Sequence, residues 1–157
     1  MTPGDISIRK LEPQESDLIL KIAHWYFDEW GSPVEKTAKS LTTQAPEEIL
    51  FHLVMMKNGA LIGTAGVYHE VNLFNVHSRF RKFTPWLALF YMDEKERGRG
   101  MGAQLLEHVD IHAREAGISQ VYLYTFTAER LYARCGWRYM ETVRYKDHDT
   151  AVMDKIL

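Results

Sequence analysis

The chain is organised around one glycine-rich stretch, Arg97-Gly98-Arg99-Gly100-Met101-Gly102. It lies between the apolar run Trp86-Leu87-Ala88-Leu89-Phe90-Tyr91-Met92 and an amphipathic run that begins at Met101. The apolar run predicts a strand buried on both faces, and the amphipathic run predicts a helix. Glycines let a ligand approach the backbone closely, and the first N–H groups of a helix attract anions. We therefore expect residues 97–103 to form an elbow that holds a phosphate group.

Composition is that of an ordinary globular domain. The chain has 157 residues, of which 46% are hydrophobic and 25% are charged, so we expect one domain over residues 1–157. A formal net charge of −2 argues against nucleic acid as a partner, and the apolar runs are too short for a membrane span. The single cysteine, Cys135, excludes an internal disulfide and suits a reducing compartment. Residues 1–5 lack signal-peptide features, so a cytoplasmic location without a membrane partner is expected.

Periodicity and turn signals predict the element order β-αα-ββ-β-α-β-α-ββ, a mixed sheet with helices packed against it. A short strand at residues 6–9 precedes two helices, and Ser32-Pro33-Val34-Glu35 has the pattern of a capping box that opens the second helix. Asn58-Gly59 predicts a tight hairpin, with strand character extending towards Leu73. After the elbow we expect a helix, a strand at residues 121–124, a short helix and a final hairpin around residues 146–149.

Several kinds of glycine-rich elbow bind phosphate, and their patterns differ. A P-loop requires Lys-Ser or Lys-Thr after the glycines, and neither follows them here. Gly98-x-Gly100-x-x-Ala103 matches a dinucleotide fingerprint, but the preceding strand ends at Met92, too far upstream for a tight strand–turn–helix unit. A loop without any ligand is a further alternative, although it leaves the three glycines of the elbow unexplained.

The wider context resembles the GNAT superfamily of acetyl-CoA-dependent N-acetyltransferases. Their acyl-CoA signature, Gln/Arg-x-x-Gly-x-Gly/Ala, follows a buried strand and opens a helix, and Arg97-x-x-Gly100-x-Gly102 is similar to it. Leu131-Tyr132-Ala133-Arg134-Cys135-Gly136-Trp137 is similar to a second family segment, with Trp137 where Phe is commoner. The resemblance is strong over residues 85–137 and topological before them. It implies an α/β (α+β) fold, a GNAT-like mixed and mostly antiparallel sheet of about seven strands with about four helices.

The resemblance also implies acetyl-CoA as co-substrate and no metal. The pyrophosphate would lie on the elbow, where the family motif corresponds to Arg97, Gly98, Arg99, Gly100, Met101, Gly102 and Ala103. The pantetheine arm would pair with the backbone of Phe90, Tyr91 and Met92, where an N–H group would polarise the thioester carbonyl. The chain lacks the Asn that often contacts pantetheine before the last helix, and Thr125 or Thr127 stands in its place.

Tyr132 is the expected catalytic residue. Family members often place a Tyr four residues before the glycine of the second segment, and Tyr132 stands four residues before Gly136. A thiol with a pKa of ~8.5 leaves more readily when a neighbouring group donates a proton to its sulfur. No single residue stands out as the base that deprotonates the amine, because Tyr124 occupies the position where some members carry an acid. The remaining candidates are Glu29, His69, Glu70 and Asp93.

The acceptor pocket of this fold is usually built by the first two helices and the hairpins, which here gives Glu29, Trp30 and Tyr124 as substrate-binding candidates. The acidic, aromatic segment around Trp25, Asp28 and Glu29 would suit a cationic amine. We therefore predict acetyl transfer to a primary amine of a small molecule or peptide, by direct attack in a ternary complex. The alternative is a non-catalytic acyl-CoA-binding or regulatory module on the same fold. Family members are often dimers, so the resemblance leaves a homodimer open, and the sequence does not specify the oligomeric state.

Other residues with reactive side chains give weaker patterns. His108 and His112 are four residues apart but lack the H-E-x-x-H arrangement of a zinc site. Cys135 has no recognisable His partner that would activate it as a nucleophile. We expect the two histidines on a helix surface and Cys135 in packing.

Overall fold

The computed structural model describes residues 5–157, so residues 1–4, on which the signal-peptide expectation rests, lie outside it. Within the described residues, four α-helices and seven strands follow the predicted order. They are β1 (Ile6–Lys10), α1 (Ser16–Trp30), α2 (Val34–Thr43), β2 (Ile49–Lys57), β3 (Ala60–Tyr68), β4 (Trp86–Met92), α3 (Met101–Glu115), β5 (Gln120–Thr125), α4 (Glu129–Arg134), β6 (Arg138–Tyr145) and β7 (His148–Ile156). Between residues 5 and 157, no helix combines the length and the hydropathy that a membrane crossing requires.

The strands form one seven-stranded sheet in the order β1-β2-β3-β4-β5-β7-β6. All neighbours are antiparallel except β4 and β5, which are parallel and share a single paired position, Trp86 with Tyr122. The Tyr122 N–H donates to the Pro85 carbonyl at 3.0 Å. Beyond this pair the two strands separate, and we call the resulting gap the wedge. The fold class predicted from the sequence is confirmed.

The sheet carries a hydrophobic core on each face. Side chains of α3 and α4 pack on one face, with Leu105, Val109 and Leu123 at the centre of the cluster. Side chains of α1 and α2 pack on the other face, around Ile22 and Leu41. Because successive side chains of a strand point to opposite faces, β4 contributes to both clusters: Phe90 and Met92 to the first, and residues 88, 89 and 91 to the second.

The expectation that β4 is buried on both faces is wrong for its second half. Trp86 and Leu87 are buried, but residues 88–91 are only half-buried. The cause is the wedge, since β5 no longer covers the edge of β4 after Trp86. Backbone groups of β4 are therefore accessible, as the expected pairing of pantetheine with residues 90–92 requires.

Two local expectations also differ from the structure. Ser32 does not cap α2, because the N-cap residue is Pro33 and no side chain caps the helix. Strand β3 ends at Tyr68 instead of continuing towards Leu73. The following segment forms short 3₁₀ turns at Asn72–Asn75 and Ser78–Lys82, which bury Leu73 in a third apolar cluster around Trp86. The hairpin at Asn58 and Gly59 is confirmed, with φ values of 52° and 81°.

Candidate functional site

A β-bulge interrupts β4 inside the wedge. Gly66 of β3 pairs with Ala88, and Thr64 pairs with Tyr91, so an advance of two residues in β3 matches three in β4. Leu89 has a φ of 60°, a left-handed conformation that a branched residue seldom adopts. Such conformations persist only where the surroundings hold them. The hydroxyl of Tyr26 in α1 provides one such hold, since it donates to the Leu89 carbonyl at 2.7 Å.

A buried polar network around His52 adjoins the Tyr26 hydroxyl that makes this contact. His52 of β2 is 1% exposed and lies with its Nε2 atom 2.7 Å from Thr64 Oγ1 and 3.4 Å from Tyr26 Oη. Its Nδ1 atom lies 3.2 Å from the hydroxyl oxygen of Tyr68. A Cβ atom at Gly66 would lie only 2.7 Å from Nδ1, so a glycine is needed at that point of β3.

The direction of each hydrogen bond in the network follows from counting protons. Thr64 donates its one hydroxyl proton to the Leu53 carbonyl at 2.9 Å, and Tyr26 donates its own to Leu89. Both oxygens must therefore accept from His52, whose Nε2 carries the proton. Burial lowers the pKa of His52 to about 3, so the ring is neutral and its Nδ1 accepts from Tyr68. The network thus has one proton arrangement, which runs from Tyr68 to the bulge.

The elbow after β4 presents backbone N–H groups at the start of α3. Gly98 and Gly100 both have a φ of 78°, and Gly100 is the N-cap residue of α3. The first backbone hydrogen bond of the helix is donated by Gln104 to the Gly100 carbonyl, at 3.3 Å. The N–H groups of Met101, Gly102 and Ala103 precede it and are available to an anion at the positive end of the helix dipole.

The two arginines of the elbow differ in role. Arg97 Nε donates to the Met92 carbonyl at 2.9 Å, and its guanidinium lies 5.2 Å from the centre of the Tyr91 ring. These contacts tie the elbow to the end of β4. Arg99 is exposed and lies 3.6 Å from Glu96, so its charge remains at the surface beside the elbow.

Gly102 brings α3 close to β4. A Cβ atom at this position would lie 3.4 Å from Phe90 Cζ, so a larger side chain would press on the strand. Met101 is buried beneath the helix, whereas Ala103 is exposed. The structure thus gathers the expected cofactor residues at positions 90–92 and 97–103 along one continuous path, from the edge of β4 to the first turn of α3.

Tyr132 of α4 lies across the wedge from β4. Its ring packs edge-on against Phe90, with centroids 6.0 Å apart, and against Trp137 at 6.1 Å. Burial raises the pKa of Tyr132 above its ordinary value, so the phenol keeps its proton at neutral pH. The end of α4 is fixed by Lys155 of β7, which donates to the Cys135 carbonyl at 2.7 Å and to Asp110.

A cavity of about 490 Å³ opens on the α1–α2 side of the sheet. Its apolar floor includes Leu41, Val71, Ala88 and Leu89, so it reaches the bulge of β4. Two of the expected acceptor residues, Trp30 and Tyr124, line it. The third, Glu29, is exposed and does not line the cavity.

The structure also shows the surroundings of the three other candidate bases. Glu70 lines the cavity but pairs with Arg81 at 3.0 Å. His69 contacts the Thr84 hydroxyl at 3.2 Å, and Asp93 accepts from the N–H of Lys95 and so caps a short 3₁₀ turn. Neither lines the cavity.

Sequence reasoning missed Glu48, a cavity-lining carboxylate. It stands just before β2 and accepts a hydrogen bond from the Ser40 hydroxyl at 2.9 Å. The only sequence signal was an acid in front of an apolar strand, which is too common to single it out.

Other expectations concern residues outside this path. Thr125 Oγ1 accepts from the N–H groups of Thr127 and Ala128, so it shapes the start of α4 and only its own proton is free for a ligand. The His112 ring contacts the His108 carbonyl at 2.8 Å. In the described part of the chain, no three His, Cys, Asp or Glu side chains come together as metal ligands would.

Comparisons with known proteins place the fold. The family model described as "Acetyltransferase (GNAT) family" matches residues 19–137 of this chain. An acetyltransferase of the GNAT family from Streptococcus pneumoniae is 19% identical with a TM-score of 0.73, over 98% of this chain and 99% of that one. The PaiA N-acetyltransferase from Thermoplasma acidophilum, solved in complex with coenzyme A, is 18% identical with a TM-score of 0.68 over the same shares.

A third solved structure extends the likeness. An aminoglycoside 6′-N-acetyltransferase complexed with coenzyme A is 12% identical with a TM-score of 0.75, over 96% of each chain. No curated protein sequence matches this one. The solved structures share the fold at low identity, and the family match spans most of the chain. The protein therefore belongs to the GNAT family of acetyltransferases.

Proposed function

We propose that this protein is an N-acetyltransferase that moves the acetyl group of acetyl-CoA to a primary amine of a small molecule or peptide. One observation carries the proposal: the accessible stretch of β4 touches both sides of the sheet. The elbow and α4 adjoin it on one face, and the 490 Å³ cavity adjoins it on the other. Donor and acceptor can therefore reach the same bulge from opposite faces and react in a ternary complex.

The residues present fit acetyl-CoA. An added Cβ atom at Gly98 or Gly100 would meet nothing within 4 Å, so the elbow is open to a pyrophosphate that bonds the first N–H groups of α3. The half-buried edge of β4 can pair with the amides of pantetheine as an added strand would. A backbone N–H at the bulge would then face the thioester carbonyl and stabilise the oxyanion that forms there.

The reaction requires one bond to form and one to break. The amine nitrogen attacks the acetyl carbon, the carbon–sulfur bond breaks, and the nitrogen loses a proton. We assign Tyr132 the role of general acid, which donates its proton to the departing sulfur. Burial keeps the phenol protonated at neutral pH, so a proton or a hydrogen bond is available for the sulfur. Tyr132 then recovers a proton from water.

Glu48 fits the complementary role of receiving the proton of the amine, directly or through water. It lines the cavity and forms no ion pair within residues 5–157, whereas Glu70 is held by Arg81. A carboxylate that is free of a cationic partner is the better proton acceptor, because an ion pair lowers the basicity of its oxygens.

Free-thiol release from acetyl-CoA tests the proposal. The protein is mixed with acetyl-CoA and a panel of small-molecule amines and peptides, and the acetylated product is confirmed by mass. We expect thiol release that depends on the amine. Tight CoA binding with no release across the panel would contradict it and would favour the acyl-CoA-binding module instead.

A further inference from the structure

The charged side chains around the acceptor cavity are unbalanced. Three lysines line it, Lys36, Lys39 and Lys146, against two carboxylates, Glu48 and Glu70. Arg81 neutralises Glu70 through an ion pair at 3.0 Å. Within residues 5–157, none of the three lysines forms an ion pair. The cavity is therefore positive, although the whole chain has a formal net charge of −2.

Helix α2 turns a polar face towards the cavity. Lys36, Thr37 and Ser40 lie on one side of the helix, since residues three and four apart are neighbours on its surface. Leu41 is the one buried residue of α2, and it packs among the side chains of α1 and the sheet. Hydrophobic packing on the sheet thus sets the rotation of α2 and directs its lysines to the cavity.

The third lysine comes from a remote part of the chain. Lys146 lies in the turn between β6 and β7 with a φ of 48°, and its ammonium stands 5.5 Å from the centre of the Tyr145 ring. All three lysines are exposed, whereas Leu89 and Tyr124 are half-buried. The positive charges therefore surround the mouth of the cavity, and the less polar groups lie next to the bulge.

We propose that the acceptor of this enzyme is an amine that also carries an anionic group, either a carboxylate or a phosphate. The inference rests on the proposed function and names its substrate class. The amine lies at the bulge and the anion lies among Lys36, Lys39 and Lys146 at the mouth. The expectation of a cationic acceptor relied on Trp25, Asp28 and Glu29, and none of the three lines this cavity.

Probes that share a benzylic amine and differ in the para group test the inference. They are 4-(aminomethyl)benzoate, 4-(aminomethyl)phenyl phosphate, the neutral 4-(aminomethyl)benzamide and the cationic p-xylylenediamine. Each is titrated calorimetrically into the CoA-saturated protein, so that binding is measured without turnover. We expect the anionic probes to bind roughly 10-fold tighter than the benzamide, because their charge pairs with the exposed lysines. The diamine should bind weakest, because the same lysines repel its second ammonium. The benzoate and phosphate arms show which anion is preferred.

Charge reversal supplies the matched variants. The double substitution Lys36→Glu with Lys39→Glu is expected to invert the order, so that the diamine binds best. Lys10→Glu, at an exposed lysine of β1 that does not line the cavity, is expected to leave the order unchanged. Raising the salt concentration should reduce the preference, because mobile ions screen exposed charges.

Some results would contradict the inference about the acceptor, and a different result would contradict the proposed function. Equal affinities, tighter binding of the diamine, no binding of any probe, or an equal effect of Lys10→Glu would each overturn this inference. Acetylation of the diamine while the benzoate stays inert would overturn it and leave the acetyltransferase proposal standing. Selective binding of the anionic probes without any acetyl transfer would support the cavity assignment and remove the proposed function.

Discussion

The donor side of the wedge is built from backbone groups of nearly consecutive residues, whereas the acceptor cavity is built from side chains scattered between residues 30 and 146. The donor side needs glycines, a strand edge and a helix start, all within residues 86–103. The acceptor side depends on how far α1, α2 and the last turn come together in the fold. A site made of backbone groups can therefore be recognised in a sequence, and its partner across the sheet cannot.

The two sides meet at Leu89, and the buried network fixes that residue. Tyr68 lines the cavity, and its hydroxyl leads through His52 and Tyr26 to the Leu89 carbonyl. The bulge is thus held by contacts from the cavity side, and in the proposed reaction its backbone acts on the donor side. Four changes separate these contributions.

Tyr132→Phe is expected to have the largest effect, on the donor side. Loss of the phenolic proton should lower kcat by ~10²-fold, because the sulfur would leave without a donor. CoA affinity should stay near wild type, since the ring and its packing remain. Tyr122→Phe is the control, a buried tyrosine that packs on Trp86 outside the proposed catalytic path. A kcat for Tyr132→Phe near that of Tyr122→Phe would remove the assignment.

His52 should make stability depend on pH. Burial lowers its pKa to about 3, against about 6.5 in the unfolded chain. Between these values only the unfolded chain binds the proton, so the free energy of unfolding falls as the pH falls. From pH 7 to pH 5 this amounts to about 2 kcal/mol. Urea unfolding of His52→Gln should show that much less loss than wild type. His24→Gln, at an exposed site, should keep the wild-type slope, and equal slopes in all three would contradict the assignment.

Tyr26→Phe tests the link between the network and the bulge. It leaves the Leu89 carbonyl without its donor and should lower stability by about 1–3 kcal/mol. With carbonyl-¹³C leucine and ¹⁵N phenylalanine, an HNCO spectrum reports only Leu–Phe pairs, which are Leu50-Phe51, Leu73-Phe74 and Leu89-Phe90. We expect the largest shift at Leu89-Phe90 and almost none at Leu73-Phe74. An unmoved Leu89-Phe90 peak would show that Tyr26 does not hold the bulge.

Gly100→Ala is expected to have the smallest effect on stability and to act on donor binding. Gly100 and Gly117 share a φ of 78°, and neither has an atom within 4 Å of an added Cβ. Each alanine variant should therefore lose about 1–2 kcal/mol of stability. Only Gly100→Ala should weaken CoA binding, because Gly117 lies at the far end of α3. Equal CoA affinities for the two variants would show that the elbow does not bind the donor.

Much of the fold could be predicted from local patterns. Asn58-Gly59 specified a hairpin, and the elbow specified the junction of β4 and α3. The apolar run alone did not predict the wedge, because it does not reveal whether a neighbouring strand stays beside it. Only the family resemblance implied a β4 backbone that is open to pantetheine. The same gap explains why residues 88–91 are only half-buried in spite of their composition.

The side-chain sites were less accessible to prediction. His52 interrupts an apolar strand, and Gly66 is a glycine within a strand, but nothing local connects the two. Their relation exists only because β2 and β3 pair in a register that sets His52 opposite Gly66. Glu48 and the three lysines of the cavity are ordinary surface residue types. Only the tertiary fold brings α2, the start of β2 and the β6–β7 turn to one space.

We propose above all that donor and acceptor occupy opposite faces of the sheet at the same time and react directly at Leu89. Initial rates measured at several fixed amine concentrations while acetyl-CoA is varied test it most directly. We expect double-reciprocal lines that intersect, because both substrates are bound together in a ternary complex. Parallel lines would contradict it, because they would show that the acetyl group is first passed to the protein and that CoA leaves before the amine binds.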